Sequence, residues 1–187
     1  MGLSLESMAI EMPAVHGHPN RAAFRGVLTV VDVASDKSPS GARGHRVMLT
    51  RGAAEAAIPS LLGMGLDYSP ALDRHDARRK IGVITRAEIV GRTIEVSGFL
   101  YARDFPEIVA EIGRPGRRGA AVSAELASTD GNVRATRAGL GMSYEIADAL
   151  VEDIQASVWV LNRVTFTGAA VLRRDKAAYC ATWIELG

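Results

Sequence analysis

Between Ile81 and Leu100 the chain alternates apolar and polar residues on either side of Gly91. Ile81, Val83, Ala87 and Ile89 keep one face apolar, Gly91 turns the chain, and Ile94, Val96 and Leu100 do the same on the return. A period of two, interrupted once by a turn residue, predicts an antiparallel β-hairpin with one buried face. A chain with such a hairpin at its centre must build a sheet around it.

The flanking segments extend the β reading. Phe24 to Val33 is dense in Val, Leu and Thr, Ser35 to Gly44 is a Ser/Gly/Pro/Lys loop, and His45 to Thr50 reads as a second strand. Thr50 suits the N-cap of an Ala-rich helix that Pro59 interrupts and restarts. Beyond Gly63 and Gly65 a polar loop carries Asp67, Ser69, Asp73, Arg74, His75 and Asp76. Asp104, with Phe105 and Pro106 in the first turn, opens a short helix that buries Ile108, Val109 and Ile112, faces Glu107 and Glu111 outward, and stops at Gly113. A Gly/Arg-rich loop follows. Strands are then expected at Ala120 to Thr129, Val133 to Arg137, Leu140 to Val151 and Val158 to Thr167, with a turn at Asp130-Gly131-Asn132.

Strands outnumber helices, so the expected class is α+β, mostly β. The expected architecture is an antiparallel β-barrel with two or three flanking helices. The 187 residues suit a single core. Residues 1–22, which lack a period, are expected as a flexible N-terminal arm, and 23–187 as one domain.

The 22 basic and 21 acidic side chains nearly cancel, which argues against nucleic acid and anionic membrane as partners. Local basic runs at Arg74 to Lys80 and Arg114 to Arg118 are the kind that solvated loops commonly carry. The single cysteine, Cys180, cannot close an intrachain disulfide and has no zinc-like ligand spacing around it, so a reducing compartment fits and no metal is expected. No stretch approaches the length of a membrane-spanning helix.

Three residues could carry chemistry. His75 sits in the polar loop just before a strand, where an imidazole can take a proton from a nucleophile. Ser143 lies in Leu140-Gly141-Met142-Ser143-Tyr144-Glu145-Ile146, whose large apolar side chains alternate onto one face and leave Ser143 and Glu145 together on the other. The same logic pairs Ser123 with Glu125. Most serines on half-buried strands are only small polar residues. The Gly-x-Ser-x-Gly elbow of α/β-hydrolases is absent, because Glu145 stands at the second glycine. There is also no phosphate-binding glycine loop and no His-Glu-x-x-His.

Several segments, taken in order, resemble the prohead (capsid-maturation) serine proteases of tailed bacteriophages. They are Arg43-Gly44-His45-Arg46-Val47, Arg74-His75-Asp76 followed by Lys80-Ile81-Gly82-Val83, Ile94 to Leu100, a serine-bearing strand, and Phe166-Thr167-Gly168-Ala169-Ala170-Val171-Leu172. The resemblance spans roughly Gly44 to Leu186. It implies an assemblin-like β-barrel and a serine endopeptidase with His75 as base and Ser143 or Ser123 as nucleophile.

Ser123 follows the helix and glycine-rich loop at a family-like distance from His75, whereas Ser143 has the better Gly-x-Ser-x-Glu context. Ser143 is favoured narrowly. The third member stays open among Glu145, Glu152, Asp153 and the last strand. Arg173-Arg174 are similar to a basic pair that assemblins place near the oxyanion hole. The resemblance implies scaffold and major capsid proteins as substrates, is compatible with a homo-oligomer, and places the chain in the host cytoplasm inside assembling proheads. No cofactor is implied. Two alternatives remain: a catalytically inactive capsid-assembly or scaffold protein of the same fold, and an unrelated β-barrel binding module.

Overall fold

The computed structural model describes residues 7–13, 15–114 and 139–187. The first half of the chain holds β1 (Ser7–Ala9), β2 (Ala22–Val30), β3 (Arg46–Leu49), α1 (Arg51–Ala57), β4 (Gly65–Tyr68), β5 (Lys80–Val90) and β6 (Thr93–Leu100). Then follow α2 (Pro106–Ile112), β7 (Leu140–Val151), β8 (Val158–Arg173) and β9 (Trp183–Leu186). The strands expected at 120–129 and 133–137, and the turn between them, lie outside the described residues.

The central hairpin forms as its alternation requires. β5 and β6 pair antiparallel, with Ala87 opposite Val96 and Ile89 opposite Ile94, and Gly91 takes the turn at φ 59°. One detail differs from the strict period of two. A bulge between Ile84 and Arg86 shifts the phase, so Ile84 is fully buried while Val83 is only half-buried.

The helices follow local chemistry. Thr50 Oγ1 accepts the Ala53 N–H at 3.3 Å and caps α1, and Pro59 sits in the first turn of a 3₁₀ segment, Ile58–Leu61. The N-cap of α2 is Phe105 and not Asp104, because the Asp104 carboxylate instead accepts Asn20 Nδ2 at 2.8 Å. Ile108 and Ile112 are buried, and Val109 packs against the core from a half-buried position. Glu107 is exposed and accepts the Tyr68 hydroxyl; Glu111 is half-buried and meets Arg114 at 2.7 Å.

β8 organises the sheet. Along one edge it pairs parallel with β3 (Val47 opposite Trp159) and with β4 (Leu66 opposite Ala169), and along the other antiparallel with β7. The sheet is therefore mixed, which corrects the expectation of an antiparallel barrel. The strand order is β3-β8-β4-β5-β6-β2-β9, with β7 also on β8 and β1 on β5. Part of the expected arm is thus a strand: Ser7–Ala9 pairs with Glu88 to Arg86.

The sheet curls strongly into a half-barrel, so that the β9 end approaches β7. Met142 N–H donates to Thr182 Oγ1 at 3.1 Å there. The core inside the curl includes Leu28, Ile58, Leu66, Ile84 and Phe166, all nearly inaccessible to solvent.

Candidate active site

Two adjacent rows of the sheet supply the floor of the site. In the first, Lys80 of β5 faces Asp67 of β4, Asp67 faces Ala170 of β8, and Ala170 faces Ser143 of β7. Directly paired residues point to the same face, so these four side chains share it. Lys80 Nζ donates to Asp67 Oδ2 at 3.0 Å. Two residues along β7, Glu145 faces Gly168.

Gly168 has a steric reason to be there. A Cβ at that position would lie 2.9 Å from Glu145 Oε2, so any side chain would displace the carboxylate. At Gly65 a Cβ would press on the Lys80 stem at 2.7 Å. The two glycines clear the space in which Lys80 and Glu145 lie.

The loop after β4 carries His75 over this floor and is tied down at three points. Ser69 Oγ donates to Asp73 Oδ1 at 2.8 Å, Arg173 N–H donates to Leu72 O at 2.7 Å, and Asp76 N–H donates to Asp67 Oδ1 at 3.0 Å. The result places His75 Nδ1 3.3 Å from Glu145 Oε1 and 3.8 Å from Asp67 Oδ1. Nδ1 is buried, and neither contact has hydrogen-bond alignment. The first is within hydrogen-bond reach but misaligned and the second is too long, so both are close approaches of an imidazole nitrogen to a carboxylate.

Asp67 is fully buried. Burial alone would push its carboxyl up, but His75, Lys80 and the Asp76 N–H together outweigh that and hold it below the usual value. A fixed anion therefore sits under the histidine.

His75, Ser143 and Glu145 all line one open groove of about 900 Å³. No hydrogen bond joins Ser143 Oγ to the imidazole among the described residues. Ser123 lies outside them.

Of the candidate third members, only Glu145 reaches His75. Glu152 instead accepts Asn162 Nδ2 at 3.4 Å, and Asp153 accepts the Gln155 N–H at 2.8 Å. Arg173 approaches Asp175 at 3.4 Å, while Arg174 is buried against Gly139 with Nε unpartnered, and neither lines the groove. Burial pushes the Arg174 guanidinium below its ordinary pKa.

Sequence reasoning missed Asp67 and Lys80 as site residues. The polar run predicts a loop at Asp67, whereas β4 sets it inside the sheet. The only signal available was Asp67 itself, an acidic residue within the polar run that leads to His75.

Two chemistries are open to this arrangement. A carboxylate close to Nδ1 can fix an imidazole in orientation and stabilise its protonated form while the other nitrogen works as a base. Asp67, His75 and Glu145 also offer ligand atoms within 4.8 Å of one another, a set that could hold a metal ion. Lys80 competes with that second use, because its ammonium already supplies a positive charge at Asp67. No family model matches this chain, and no curated protein matches it in sequence.

Proposed function

We propose that the chain is a serine endopeptidase of the prohead type. Ser143 attacks the peptide carbonyl, His75 takes its proton and returns it to the leaving amine, and Glu145 holds the imidazole through Nδ1. Asp67, charged and anchored by Lys80, fixes the histidine loop from below. The observation that carries this reading is the approach of His75 Nδ1 to Glu145 at 3.3 Å in the groove that Ser143 also lines.

The curled sheet, with two helices among the described residues, is compatible with an assemblin-like ancestry. Scaffold and major capsid proteins inside an assembling prohead are the substrates that go with it. A second reading, a protease-fold assembly protein without activity, is favoured by one observation: the nucleophile and base are not hydrogen-bonded. Dyads in unliganded enzymes are often loose, so that observation weighs less than the presence of Ser143 in the groove where His75 Nδ1 approaches Glu145.

Co-expression with the scaffold and capsid proteins of the same genome separates the two readings. The wild-type chain is expected to give discrete cleavage products, and His75→Ala to reduce them by roughly three orders of magnitude without unfolding the protein. Ser143→Ala is expected to abolish cleavage and Ser123→Ala to spare it. Undiminished cleavage by His75→Ala, or none by wild type, would favour the inactive assembly protein.

A further inference from the structure

The groove is chemically different at its two ends. Following the β7/β8 ladder from the hairpin tip, Val151 faces Leu161, then Ser143 faces Ala170, then Leu140 faces Arg173. At the tip end the lining is apolar: Ile146, Ala149, Val151, Trp159 and Leu161. Trp159 is held in place by the His45 ring stacked on it at 4.7 Å, and its indole N–H donates to Ile154 O at 3.1 Å. Leu150 and Ile154, half or more exposed, continue this apolar surface around the tip.

Beyond Ser143 the lining changes sign. Lys37, Arg74 and Lys176 all border the groove, with Asp73 as the opposing charge on that rim. Lys37 Nζ donates to the Asp175 main-chain carbonyl and forms no ion pair with any described residue. Lys176 forms no ion pair with any described residue. From Leu161 past the Ser143 row to Arg173 the strand contour is about 40 Å at the usual rise per residue, long enough for an extended peptide of about twelve residues.

We infer that the groove accepts an extended peptide segment with large apolar side chains on one side of Ser143 and acidic side chains on the other. The apolar residues pack against the half-buried Trp159 and Val151, and the acidic ones meet Lys37, Arg74 and Lys176. Charge complementarity at a solvent-exposed rim gives selectivity and salt dependence more than raw affinity. That the bound peptide is also cleaved rests on the endopeptidase reading, whereas the binding polarity does not.

Two measurements keep these apart. In the first, full-length Ser143→Ala protein is titrated by fluorescence anisotropy with a labelled twelve-residue peptide, apolar in one half and acidic in the other. Two controls of the same length carry lysine in place of the acidic residues, or serine in place of the apolar ones.

The apolar-acidic peptide is expected to bind at least tenfold more tightly than either control. Its binding should weaken on going from low to high salt, and by roughly tenfold in a background that adds Lys37→Glu and Lys176→Glu. Equal binding of all three peptides, or no response to the charge reversals in a folded protein, would overturn the inference. In the second, wild-type protein is incubated with the same peptides. Selective binding without cleavage would leave the groove assignment standing and count against the protease reading; cleavage without selectivity would do the reverse.

Discussion

Replacing Asp67 with Asn would leave the Lys80 ammonium and the Asp76 N–H facing a neutral amide inside the sheet. The carboxyl of Asp67 is held below 3.8 in the folded chain, so its ionised form stabilises the fold. That contribution is fully present above the unfolded value and is lost as pH falls through the lower folded one. Asp67→Asn is therefore expected to cost about 1–3 kcal/mol at pH 7, the usual penalty for buried polar partners left poorly paired. The deficit relative to wild type should begin to shrink below about pH 4, where the unfolded carboxyl becomes neutral, and go on shrinking as the folded carboxyl is protonated at its lower value. Urea denaturation of both proteins from pH 3 to pH 7 measures this. A deficit that stays constant with pH would mean that the charge of Asp67 does not contribute.

Among the elements, α2 gives the simplest test of packing. Ile108 is 2% exposed and Ile112 3%, so the helix is held by a narrow apolar edge. Ile108→Ala is expected to cost about 2–5 kcal/mol, read from the shift in denaturation midpoint; an unchanged midpoint would show that the helix adds nothing to the core.

The elements that local pattern specifies were readable in advance: the β5/β6 hairpin, α1 behind its Thr50 cap, α2, and the long strand containing Ser143. β4 and β9 were not, since four residues are too few to show a period and β4 includes Gly65 and Asp67, both poor strand formers. The parallel pairing of β3 and β4 with β8 was also hidden, because it joins segments about a hundred residues apart with no local signature. The site divides the same way. His75, Ser143 and the face shared by Ser143 and Glu145 come from motif and alternation. Asp67, Lys80 and the space above Gly168 exist only once β4, β5, β7 and β8 lie side by side.

At the scale of the molecule, the half-barrel places a histidine loop and a serine strand around one groove, with a buried carboxylate beneath the histidine. β8 is central to this, since it carries β3 and β4 on one edge and β7 on the other, and its Arg173 also anchors the histidine loop. The central claim is that Ser143 is an activated nucleophile with His75 as its base. A serine-directed fluorophosphonate, followed by peptide mapping with mass spectrometry, tests this without knowledge of the natural substrate. The account predicts one adduct, on the peptide containing Ser143, formed by the wild-type chain and lost in His75→Ala. An adduct on Ser123, or none on any serine of the folded protein, would contradict it.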